Sequence, residues 1–197
     1  MSAAGVETTK TKWLSSTTSG LGDLLAGTSA VCSLDAAVDP PTGDVGMALV
    51  TRKGGKNFVW LLVRNAADGV MKSVQIQSKS GADDCRQGYA AARVAISGSN
   101  WFVATFEAVT SKSPSSGDIE VTRVVSKEGI KSIWTGNGID LTTTDSVDGA
   151  TATPTVALAW RGLADLQVAA DGALTLVLEM DDATGKRAIA VHSFMPK

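Results

Sequence analysis

Runs of apolar residues, some continuous and some alternating with polar ones, succeed one another along this chain. Glycine turns separate them, and together they predict strands nearly throughout. Residues 58–63, Phe58-Val59-Trp60-Leu61-Leu62-Val63, are apolar at every position. A strand with that pattern is covered on both faces. Residues 101–106 and 174–178, each broken by a single threonine, also read as covered strands. Each covered strand has a strand before it (46–50, 91–96 and 166–168) across a turn at Gly54-Gly55, Gly98 or Asp171-Gly172. Each also has a strand after it, at 70–76, 119–125 and 188–194. In 70–76, Val74 and Ile76 point one way and Ser73, Gln75 and Gln77 the other, so that strand is half exposed. Asp171-Gly172 reads as a type I′ hairpin turn.

A further strand at 30–38 precedes a turn forced by Asp39-Pro40-Pro41-Thr42-Gly43-Asp44. Strands at 129–134 and 153–160 flank a long insertion. The reading is a flexible segment over 1–12 followed by one all-β domain over 13–197. That domain holds three antiparallel, four-stranded repeat units at about 30–80, 88–134 and 153–195. The expected architecture is propeller-like, with a two-sheet β-sandwich as the alternative.

The run Ala92-Arg93-Val94-Ala95-Ile96-Ser97-Gly98-Ser99-Asn100-Trp101-Phe102-Val103 is similar to the blade repeats of sialidase-like β-propellers. The run Leu166-Gln167-Val168-Ala169-Ala170-Asp171-Gly172-Ala173-Leu174-Thr175-Leu176 resembles them too. The resemblance implies stacked four-stranded blades around an axis. It implies no catalytic residue, because the Ser-x-Asp-x-Gly-x-Thr-Trp box of those blades is missing. Three units are also fewer than the about four to eight blades that close a propeller. A homo-oligomer or a protein partner is therefore expected, with residues 10–15 pairing against the strand at 188–194.

Composition narrows the function. With 44% hydrophobic and 19% charged residues the chain is globular. Its 18 Lys and Arg are scattered singly and its net charge is −2, which argues against a nucleic-acid surface. No apolar run approaches the ~20 residues that span a bilayer, and no basic-then-apolar leader is seen. A cytoplasmic location is expected, with a virion or a larger complex as the other possibility. Cys32 and Cys85 read as free, buried thiols.

Candidate chemistry is sparse. The sole histidine, His192, lacks a Gly-x-Ser-x-Gly partner motif. Glu179, Asp181 and Asp182 end a strand, where adjacent residues face opposite ways, so they make a poor glycosidase pair. Asp140, Asp145 and Asp148 miss the spacing of a calcium loop. Two cysteines and one histidine fall short of a zinc site. No catalytic residue, metal or cofactor is assigned. Trp60 and Trp101 read as core, whereas Trp13, Trp134 and Trp160 sit at strand ends beside polar loops and are the candidate binding residues. The expected function is a non-catalytic binding or assembly module. The alternatives are a lectin-like carbohydrate-binding module using those tryptophans and, third, a hydrolase on a propeller scaffold.

Overall fold

A computed structural model describes residues 22–80, 84–97, 100–109, 116–125, 129–136, 159–181, 184 and 186–195. One helical turn, α1 (Gly22–Leu25), precedes eleven strands among these residues. β1 (Ala30–Val38), β2 (Val45–Lys53), β3 (Lys56–Arg64) and β4 (Met71–Ser80) form the first antiparallel sheet, in that order. β5 (Gly88–Ser97), β6 (Asn100–Val109), β7 (Ser116–Val125) and β8 (Gly129–Gly136) form the second. β9 (Ala159–Val168), β10 (Leu174–Asp181) and β11 (Arg187–Phe194) form the third, a three-stranded meander. The protein is all-β, and among the described residues it has three sheets where the sandwich alternative requires two.

The sheets stack face to face. Between the first and second lie Ala48, Val50, Val59 and Leu61 on one side and Ala92, Val94 and Val103 on the other. Between the second and third lie Phe102, Ala104, Phe106, Ile119 and Val121 against Leu163, Leu166, Leu174, Leu176 and Leu178. The second sheet is thus covered on both faces, which is why β6 is apolar at nearly every position. Gly46 permits a close approach at the first interface: a Cβ there would run into the indole ring of Trp101.

The first strands of the sheets, β1, β5 and β9, lie side by side along one edge of the stack. Side chains satisfy backbone groups across these junctions, where no ladder runs. Asp35 Oδ2 accepts the Val94 N–H at 2.8 Å, and Ser33 Oγ accepts the Ala92 N–H at 3.3 Å. Arg93 spans all three sheets: Nε donates to the Ala164 carbonyl at 2.7 Å, and Nη1 donates to the Ala92 carbonyl at 2.8 Å and to Ser33 Oγ at 3.3 Å.

Four expectations change. Cys32 and Cys85 are not free thiols; they form a disulfide with Cα atoms 5.1 Å apart, joining β1 to the segment that enters β5. The type I′ geometry belongs to Gly54-Gly55, whose φ values are 57° and 71° between the paired residues Lys53 and Lys56. Asp171-Gly172 lies in a longer loop instead: the Gly172 N–H donates to the Ala169 carbonyl at 2.9 Å, the Ala169 N–H donates to the Ala173 carbonyl at 2.8 Å, and Asp171 Oδ1 accepts the Ala173 N–H. The separate strand at 166–168 is part of the single bulged strand β9. Trp60 is half-buried, on the face of the first sheet turned away from the second, and is not central core.

Candidate functional site

The two ends of the stack differ from its two interfaces. Strand alternation and register assign residues to the outward face of the first sheet. Leu34 opposes Leu49, Ala36 opposes Met47 and Val38 opposes Val45; Leu49 and Met47 in turn oppose Trp60 and Leu62. Leu24 and Leu25 of α1 pack over Met47, Leu49 and Leu62, and among the described residues the β1 side is left uncovered. Val31, Leu34 and Val38 are 52%, 61% and 57% exposed, a ridge of aliphatic side chains along the inner strand. The same face holds Lys53, Lys56 and Arg64, and its register positions include no Asp or Glu. Beside α1, Leu24, Phe58, Trp60, Lys53 and Gln75 line a cleft of about 270 Å³, where Trp60 Nε1 donates to Thr51 Oγ1 at 3.1 Å.

At the other end, the outward face of the third sheet centres on Val177, opposite Val191 and Asp165, with Glu179 opposite Ile189. Ile189 and Val191 are 65% and 54% exposed. Around them stand Asp165, Glu179 and Asp181 with Arg161 and Arg187. Arg161 bridges Asp181 through Nε at 2.6 Å and Nη2 at 2.5 Å, and Arg187 Nε reaches the other Asp181 oxygen at 3.3 Å. A carboxylate held on both oxygens by two guanidinium groups is a structural anchor and is poorly placed to move a proton.

A polar network lies between the first and second sheets. Asn57, fully buried, donates through Nδ2 to the Gln87 and Tyr89 carbonyls at 2.7 and 2.8 Å. Thr105 Oγ1 donates to Gln77 Oε1 at 3.1 Å, Gln77 Nε2 donates to Glu120, and Lys79 pairs with Glu107 at 2.7 Å. Burial, with the charges of Glu107 and Glu120 second, pushes the Tyr89 phenol up to about 12. These groups join β3 to β5 and β4 to β6 and β7, and they position the sheets.

Two of the three tryptophans chosen from the sequence lie in described strands. Trp134 stands in β8, the outermost strand of the second sheet, opposite Val121; Trp160 stands in β9, the innermost strand of the third, opposite Met180. Trp13, the acidic residues Asp140, Asp145, Asp148 and Asp182, and the 10–15 segment lie outside the described residues. His192 opposes Leu176 and lies with its ring 5.6 Å from that of Phe194. Sequence reasoning missed the Val31, Leu34, Val38 ridge. The alternation of polar and aliphatic residues in 30–38 carries its signal. Among the described residues no helix is long and apolar enough to cross a membrane. Comparison with known proteins adds no relative: no family model matches the chain, and no curated protein does.

Proposed function

We propose that this chain is a non-catalytic assembly module, a β-scaffold that acts by covering its outward sheet faces with protein. The observation that carries this reading is the ridge of Val31, Leu34 and Val38, each more than half exposed beside the otherwise buried Met47 and Leu49. Contiguous apolar surface of that kind marks an interaction site more often than a solvated face. We read the three sheets as successive blades of a propeller-like array, a reading supported by the side-by-side placement of β1, β5 and β9. The disulfide between Cys32 and Cys85 favours an oxidising compartment over the cytoplasm. The test uses extract of the native source: on gel filtration the chain should run well above its single-chain 20.2 kDa. Leu34→Asp with Val38→Asp should return it to single-chain mass. A wild-type chain that runs alone in the extract ends this reading.

A lectin-like reading is favoured by a different tryptophan from those first chosen. Trp60 and Phe58 line a cleft with Gln75 and Lys53, apolar planes beside hydrogen-bonding groups. Glycan-array binding that is lost in Trp60→Ala would support it. A hydrolase has the weakest support, since Glu179 and Asp181 are engaged by Arg187 and Arg161.

A further inference from the structure

The two exposed ends of the stack are complementary. The outward face of the first sheet is an aliphatic ridge flanked by Lys53, Lys56 and Arg64, with no carboxylate among its register positions. The outward face of the third sheet is a shorter aliphatic strip, Val177, Ile189 and Val191, flanked by Asp165, Glu179 and Asp181, with Arg161 and Arg187 among them. We infer that the partner is a second copy of this chain, docked head to tail. The third sheet of each copy covers the first sheet of the other, and two copies close on one another as a ring of six sheets. This inference rests on the assembly reading above and names its partner.

The geometry repeats a step already present in the chain. From the first sheet to the second, and from the second to the third, a face is laid on a face with the innermost strands side by side. One more such step from the third sheet requires a first-sheet face, and a second copy supplies one. Charge selects the same arrangement. Docking the first-sheet face on its own twin would set Lys56 and Arg64 against like charges, whereas on the third-sheet face the carboxylates Asp165, Glu179 and Asp181 outnumber the arginines Arg161 and Arg187 that pair with two of them. A head-to-tail contact is heterologous, so it either closes or propagates. The number of sheets decides between these outcomes: one copy has too few and three copies too many for the about four to eight blades that close, and two copies fall inside the range.

The experiment is analytical ultracentrifugation of the purified full chain and two charge-reversed variants. The wild type should sediment at twice 20.2 kDa. Lys56→Glu/Arg64→Glu and Asp165→Lys/Glu179→Lys should each weaken self-association at least tenfold. An equimolar mixture of the two should restore the two-chain species, because every interface in the mixed pair is again basic against acidic. Circular dichroism checks folding. If a reversal unfolds the chain, the milder Lys56→Gln/Arg64→Gln and Glu179→Gln should still each weaken the dimer. A monomeric purified wild type overturns this inference while leaving the assembly reading to its own test in extract. Dimerisation unaffected by the third-sheet substitutions, or a mixture that stays monomeric, overturns it as well.

Discussion

Phe102→Ala tests the sheet stacking most directly. Phe102 is 2% exposed and belongs to the cluster that joins the second sheet to the third, with Leu174, Leu176 and Leu178 across the interface and Ala95 and Ala104 on its own sheet. Its alanine neighbours are too small to fill the space left by a ring. The substitution therefore loses the transfer energy of the side chain and leaves a cavity, together about 3–5 kcal/mol. For a chain of this size each kcal/mol lowers the melting temperature by about 2–4 °C, so the expected loss is roughly 6–20 °C. Trp60→Ala is the matched control, because residues 58–63 and 101–106 are both apolar runs, the second broken only by Thr105. Trp60 is only half-buried and borders a cleft, so its removal creates less new empty volume and should cost roughly half as much. Urea melts followed by tryptophan fluorescence give both values, and an unchanged m-value shows that the variants unfold in the same way. A Phe102→Ala variant within about 1 kcal/mol of the parent, or a Trp60→Ala variant that is the more damaging of the two, would refute the packing described.

Three further outcomes follow. The folded state holds the Tyr89 proton to about 12 against an ordinary 10.0, so its contribution is complete below pH 10 and is lost as the pH climbs toward 12. Tyr89→Phe should flatten the fall in stability over that window, and because the chain has one tyrosine, tyrosinate absorbance should titrate near 12; titration near 10 refutes the burial. Cys85→Ser, or reduction of the parent, opens a loop of sequence separation 53 and should cost about 4 kcal/mol in a urea melt, with no thiol free to label before reduction. Arg93→Met keeps the stem and removes the bonds to Ala164, Ala92 and Ser33, which should cost about 2–4 kcal/mol, and proteolysis should then reach the third sheet first.

The parts legible in the sequence were those set by neighbours along the chain. Residues 58–63 and 101–106 announce strands because a side chain's face is fixed by its position within the strand, and Gly54-Gly55 announces a turn because two positive φ values favour glycine. What a strand faces depends on which sheet lies beside it, and that is written elsewhere in the chain. Phe102 is sealed by a third sheet that begins more than fifty residues later, whereas among the described residues the face that holds Trp60 is covered by the short helical turn of Leu24 and Leu25. Cys32 and Cys85 gave no sign of pairing because their approach is made by the packing of β1 beside β5.

β1 carries this furthest, because it inverts the usual rule. Its polar residues Ser33 and Asp35 face protein, where they supply the acceptors that the inner edge of β5 needs at Ala92 and Val94. Alternation then obliges its aliphatic residues Leu34 and Val38 to face outward. Read alone, the pattern of 30–38 would turn Leu34 and Val38 to the core and Ser33 and Asp35 to water. A strand whose polar side is required for one junction and whose apolar side is left at the surface is consistent with a second junction on that side. The carboxylate of Asp35 links the two: Asp35→Ala would unpair the Val94 N–H and, by loosening β1 from β5, should weaken self-association along with stability. A variant that loses stability but associates with undiminished affinity would separate the ridge from the junction and remove this link.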